Sequence, residues 1–141
     1  MDADDLIRTL ELQPHPEGGW YRETWRSPTE VRGRPTSTAI HFLLRAGERS
    51  HWHRVDADEI WLHHLGDPLQ LSTVDGEARL LRRILGGDLR ADQRPQLVVP
   101  AGQWQAAESL GAWTLVSCVV APGFSFDGFE LAPPGWQPSS T

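Results

Sequence analysis

The chain has no lysine and no asparagine, and only one cysteine, one tyrosine and one methionine. Without lysine, Schiff-base chemistry and a phosphate loop of the P-loop type are excluded. The lone Cys118 cannot close an internal disulfide, and in the apolar run TLVSCVVA it reads as a small buried hydrophobe. No apolar stretch approaches the roughly 20 residues that a helix needs to cross a bilayer. The acidic start MDADDLIRTL lacks the basic and apolar regions of a secretory signal, so a cytoplasmic protein with no membrane partner is expected. An excess of cations is also missing. Thirteen arginines, scattered along the chain, face 19 acids for a net charge of -6, which argues against a nucleic-acid partner. Neither G-x-S-x-G nor G-x-G-x-x-G occurs, so serine-hydrolase and dinucleotide readings have no anchor.

What is present reads as one domain over residues 1–141, with a core from about 5 to 135 and loosely held ends. In DADDLIRTLEL, Leu6, Ile7 and Leu10 recur at helical spacing behind an acidic first turn, with Pro14 and Pro16 as the stop. After this short helix the apolar period drops to two. Strand-like runs cover 20–27, 36–46, 58–65, 69–74, 78–85, 95–101, 112–121 and 124–131. Asp75-Gly76 reads as a two-residue hairpin turn. Many short strands without alternating helices predict an all-β antiparallel sandwich or barrel.

The stretch SHWHRVDADEIWLHHLG, residues 50–66, holds four of the six histidines. In an extended chain His51 and His53 share a face, and RVDAD is long enough to fold Glu59 back beside them. Two imidazoles and one carboxylate form the facial set that holds iron in non-haem enzymes and also suits zinc, nickel or manganese. The same groups can equally form a metal-free, hydrogen-bonded polar cluster. Period two places Trp61 and His63 on the face of Glu59, making His63 a candidate acid or base. On the first long strand Tyr21, Glu23 and Trp25 share a face. Trp61 and Trp104, beside the motif residues, are candidate ligand contacts, and Trp25, Trp113 and Trp136 read as packing. His15, between two prolines, reads as a loop residue.

Gly47-x3-His51-x-His53-x5-Glu59-x6-Gly66 resembles the first motif of the cupins, double-stranded β-helix or jelly-roll barrels. Pro100-Ala101-Gly102-Gln103-Trp104-Gln105 resembles the second, with Gln105 where the motif has its last histidine. HPEGGWYRET, SHWHRVDADEIW, VPAGQWQAA and VAPGFSFDGFEL, in that order, resemble the small single-domain group called the cupin-five family. The resemblance implies a cupin jelly roll with a short N-terminal helix, a pocket, and a homodimer. It also implies a metal set of His51, His53, Glu59 and Gln105, whose neutral amide weakens metal retention. The group is similar in fold to dehydrorhamnose-type sugar epimerases, whose glycine-aromatic-glutamate stretch is echoed by Gly19-Trp20-Tyr21-Arg22-Glu23. That echo implies that Tyr21 and Glu23 reach the cavity.

Three readings of function follow. One is an isomerase or epimerase of a polar, carbohydrate-like or carbonyl compound, with Glu23 or His63 as base, Tyr21 as phenolic acid and a metal steadying the oxyanion. The second is a non-haem iron dioxygenase built on the same ligands. The third is a non-catalytic module that binds or senses a small molecule, and fold alone does not choose among them.

Overall fold

The computed structural model describes residues 1–139. The first turn of α1 (Ala3–Thr9) is closed by a capping box, in which the Asp2 carboxylate accepts from the Asp5 amide and the Asp5 carboxylate accepts from the Asp2 amide. Seven residues are too few to hold a helix alone. Packing supplies the rest, since Leu6, Ile7 and Leu10 settle with Leu12 onto Leu43 and Leu115. The helix ends sooner than its pattern predicts. Glu11 adopts φ 54° and turns Leu12 under the sheet before either proline is reached.

Thirteen strands follow among the described residues: β1 (Gln13–Pro14), β2 (Trp20–Arg26), β3 (Glu30–Val31), β4 (Arg34–Pro35), β5 (Thr38–Arg45), β6 (Arg49–Val55) and β7 (Asp58–Gly66). The second half contributes β8 (Leu69–Val74), β9 (Leu80–Leu85), β10 (Gln96–Val99), β11 (Trp104–Ser109), β12 (Trp113–Ala121) and β13 (Phe129–Leu131). They form a six-stranded sheet in the order β1-β2-β5-β12-β7-β10 and a five-stranded sheet in the order β13-β6-β11-β8-β9, with β3–β4 as a separate hairpin. All the paired strands of these sheets are antiparallel. This is a jelly-roll sandwich with one short helix.

The core lies between the sheets. Phe42 and Leu44 of β5, Trp61 of β7, Leu69 and Leu71 of β8 and Val116 and Cys118 of β12 meet there. Period two, legible along each of these strands, sends alternate side chains inward.

Three local expectations differ from the structure. Asp75-Gly76 does not close a two-residue turn: the Asp75 carboxylate accepts from the amides of Glu77 and Arg79, Ala78 takes φ 62°, and β9 begins only at Leu80. The two-residue hairpin with both residues at positive φ is instead Arg32-Gly33, at 57° and 75°, between β3 and β4. FSFDGFEL is a strand only over Phe129–Leu131, because Phe126–Gly128 winds into a 3-10 turn capped by Ser125. The tail expected to be loose after about residue 135 is partly pinned, since Trp136 stacks on Trp104 at 4.7 Å and meets Trp52 at 6.0 Å. Its last residues, Ser140 and Thr141, lie outside the described residues.

Candidate functional site

A cavity of about 740 Å³ opens between the sheets, lined from β2, β5, β6, β7 and β12 and walled by the β3–β4 hairpin and the 121–129 loop. That volume suits a drug-sized ligand. Its buried polar floor is built from Glu17, His53 and Glu59.

Glu17 arrives on a tight turn in which the Gly18 amide donates to the His15 carbonyl and the His15 amide donates to Gly19. Gly18 has φ 108°, and a Cβ there would lie 2.0 Å from the Arg49 carbonyl oxygen, so only glycine lets this turn press against β6. The amide of His51 then donates to the Glu17 carbonyl at 2.7 Å. This fixes the carboxylate, which accepts from the Ser50 hydroxyl at 2.9 Å and meets His53 Nε2 at 2.7 Å.

Ser50 and His53 are three residues apart, yet both reach Glu17. The cause is a bulge. On β6 His53 pairs with Gln105 and Ser50 with Ala107, so three steps on one strand match two on the other. The extra residue breaks alternation and turns His51 away. Its Nε2 donates to the Pro133 carbonyl at 3.0 Å, outside the cavity.

His53 has acceptors at both ring nitrogens, the Glu17 carboxylate at Nε2 and the His51 carbonyl at Nδ1, 2.7 Å away. The carbonyl cannot donate, so Nδ1 carries hydrogen; with Glu17 ionised, Nε2 carries one too and the ring is an imidazolium. Burial is the largest effect and opposes that charge, but the charge and hydrogen bond of Glu17, with the Glu59 charge and the His51 carbonyl, together raise the His53 pKa to about 9. Burial likewise pushes the Glu17 carboxyl up, and the charge and hydrogen bond of His53 reverse this, leaving it below the usual carboxylate range.

Glu59 enters from the opposite sheet. β6 and β7 do not pair as a hairpin, contrary to the sequence expectation; they belong to different sheets, and Glu59 and His53 line the cavity from its two sides. Gln105 donates to Glu59 Oε1 at 2.9 Å and accepts the Trp61 indole N–H at 2.9 Å, a relay that orients the carboxyl. Burial raises Glu59 to about 7, with the nearby Glu17 charge adding to it against the pull of His53. Cys118 also lines the cavity, and burial followed by Glu59 and Glu17 pushes its thiol well up, which suits an inert packing role.

Of the residues singled out from sequence, Tyr21, Glu23, His53 and Glu59 line the cavity. Glu23 accepts from Arg26 Nε and Nη2, at 2.8 and 3.1 Å. Gln105 lies directly behind Glu59. Trp61 is 1% exposed and belongs to the core, not to a ligand contact. Trp104 cannot share the face of Gln105 on an alternating strand; it packs outside on Trp136 under the Arg54 guanidinium. His63 does share the face of Glu59, but four residues along a strand is about 13 Å. Its Nε2 lies 3.3 Å from the carbonyls of Gly66 and Asp67, beyond the cavity.

The expected metal set therefore does not assemble. His51 faces Pro133, both His53 nitrogens are donors, and the Gln105 amide oxygen serves Trp61. Glu59 alone of the four keeps an acceptor oxygen outside these bonds, and one carboxylate does not hold a transition metal. Among the described residues no group of three or more His, Cys, Asp or Glu is arranged to hold one.

Sequence reasoning missed Glu17 and His15. The signal was HPEGG: two glycines directly after a histidine and an acid permit the close approach that buries both.

A Shewanella oneidensis protein of known structure is similar, with 45% identity and a TM-score of 0.90 over 94% of this chain and 85% of that one. A protein of Saccharomyces cerevisiae described as uncharacterized is 30% identical over 86% of this chain and 71% of its own length. Oxalate decarboxylase from Bacillus subtilis shares the fold alone, at 16% identity and a TM-score of 0.64 over 84% of this chain and 29% of that enzyme. The family described as Cupin superfamily (DUF985) matches residues 4–132, nearly the whole of the sandwich and both sides of the cavity, and the chain belongs to it.

Proposed function

We propose that the cavity carries out acid–base chemistry of the isomerase or epimerase type on a small polar carbonyl compound, with Glu59 taking and returning the proton. The observation that supports this reading is a buried carboxyl facing the cavity, oriented by Gln105 and brought to about pH 7, where a general base is most effective. Its neighbours His53 and Glu17 stay charged as a pair and fix the local field. Glu23 is clamped by Arg26 through both carboxylate oxygens, and His63 is outside the cavity. Tyr21, the only tyrosine, is the phenolic donor available to return a proton to the substrate. No step passes through a metal.

The test is solvent deuterium entering carbon sites of a panel of aldoses, ketoses and 2-oxo acids, followed by NMR. Exchange in at least one compound is expected, with Glu59→Gln lowering it by roughly 100-fold or more and His63→Gln leaving it intact. Exchange that survives Glu59→Gln contradicts the assignment. Tight binding without exchange in any compound would favour the non-catalytic module, a reading to which the aromatic wall of Phe124, Phe126 and Phe129 lends weight. The homodimer remains a proposal carried by the family resemblance, and sedimentation equilibrium tests it.

A further inference from the structure

We infer that His15 is a second catalytic group of this cavity, a neutral imidazole whose Nε2–H donates to the carbonyl oxygen of the substrate; this rests on the acid–base reading of Glu59. Its Nδ1 accepts the backbone N–H of Glu17 at 3.0 Å, so the ring's one lone pair is spent and its hydrogen sits on Nε2. Charging the ring would put a second N–H against that amide and leave it without an acceptor. The Glu17 carboxylate, the nearest group to draw such a charge, is 3.5 Å from His15 Nδ1 and already closes on His53 at 2.7 Å. Burial acts in the same direction, holding the His15 pKa below the ordinary value against the pull of Glu17.

The ring is also held in place. Tyr21 meets it edge-on at 4.5 Å, with Phe42 at 5.8 Å and Phe129 at 6.3 Å. Among the described residues Nε2 has no hydrogen-bond partner, yet it is not sealed off as a buried orphan, and His15 lines the cavity. A fixed, uncharged donor thus faces the space in which Glu59 faces a substrate.

The chemistry balances without an added reagent. The Glu59 carboxylate removes a proton from the carbon next to the carbonyl, the C–H electron pair becomes a C=C bond, and the carbonyl π pair moves onto oxygen. Nε2–H holds that enolate oxygen while the proton returns to carbon from Glu59 or, for inversion, from the Tyr21 phenol, which solvent then reprotonates as it takes the proton left on Glu59. The substrate class is a compound whose C–H is acidified by an adjacent ketone or aldehyde, with its carbonyl oxygen lodged at His15.

Two readouts test the assignment. In protein labelled with 15N-histidine at about pH 7, His15 should show the neutral tautomer with hydrogen on Nε2, while His53 shows both nitrogens protonated; hydrogen on His15 Nδ1, alone or in an imidazolium, overturns the assignment. In the deuterium assay His15→Phe should lower exchange by about 10²–10³-fold, and His15→Gln, which keeps an N–H near the same place, should recover most of it. Full activity in His15→Phe together with its loss in Glu59→Gln overturns the role of His15 alone. Absence of exchange in the native protein overturns the Glu59 reading and this one with it.

Discussion

Glu17 and Glu59 are both buried carboxyls on one cavity, and burial raises both, but only Glu17 has an imidazolium in direct contact. The result is one acid held ionised and one poised near neutrality, the separation that lets a pair of carboxyls take different roles. It also leaves a mark on stability. Folded Glu59 keeps its proton to about pH 7 while the unfolded side chain releases it near 4.5, so the folded chain binds more protons in between and stability falls as pH rises through that interval. The drop amounts to roughly 3 kcal/mol at most. His53 acts later: its contribution is complete below about 6.5 and is lost as pH climbs through about 9. The Glu17 share is complete above 4.5 and is lost as pH falls below it. Urea denaturation from about pH 5 to pH 9 should show both declines in the native protein, and in Glu59→Gln only the later one. A variant that keeps the early decline would place it elsewhere.

At the scale of elements, position depends on irregularities. The β6 bulge lets Ser50 and His53 both face Glu17 and turns His51 out. No glycine or proline marks it within RSHWHRV, so the run reads as a regular strand and alternation gives the wrong partner for His53. The face of Glu59, by contrast, was legible, because β7 keeps strict period two from Glu59 to His63. The HPEGG turn is the second device, and its glycines separate strain from space. Gly47 also has positive φ, at 80°, but open room around its Cα, so Gly47→Ala should cost about 1 kcal/mol. Gly18→Ala adds a clash with the Arg49 carbonyl and should cost clearly more, with faster hydrogen exchange at the His51 amide that bonds Glu17. Equal melting temperatures for the two variants would mean that the turn does not brace β6.

For the molecule as a whole, the all-β class, the short helix and most strands could be read from hydrophobic period and turn residues. The division into two sheets could not, because period two shows which side chains share a face and not which strand lies beside them. That limit produced the expected β6–β7 hairpin. It kept His53 and Glu59 as neighbours, since sheets stacked face to face also bring inward residues together. It failed for His51 and Gln105, whose bonds to Pro133 and Trp61 depend on distant segments. The family blocks supplied the jelly roll, but a motif with two histidines does not reveal that both nitrogens of one are already committed to the protein. Acid–base chemistry in this cavity depends on the protonation state of its floor. Carboxyl 13C shifts of glutamate-labelled protein, followed against pH, read it directly. One glutamate should titrate at about pH 7 and vanish from the spectrum of Glu59→Gln; all glutamates titrating in the ordinary range near about 4.3 would contradict the account.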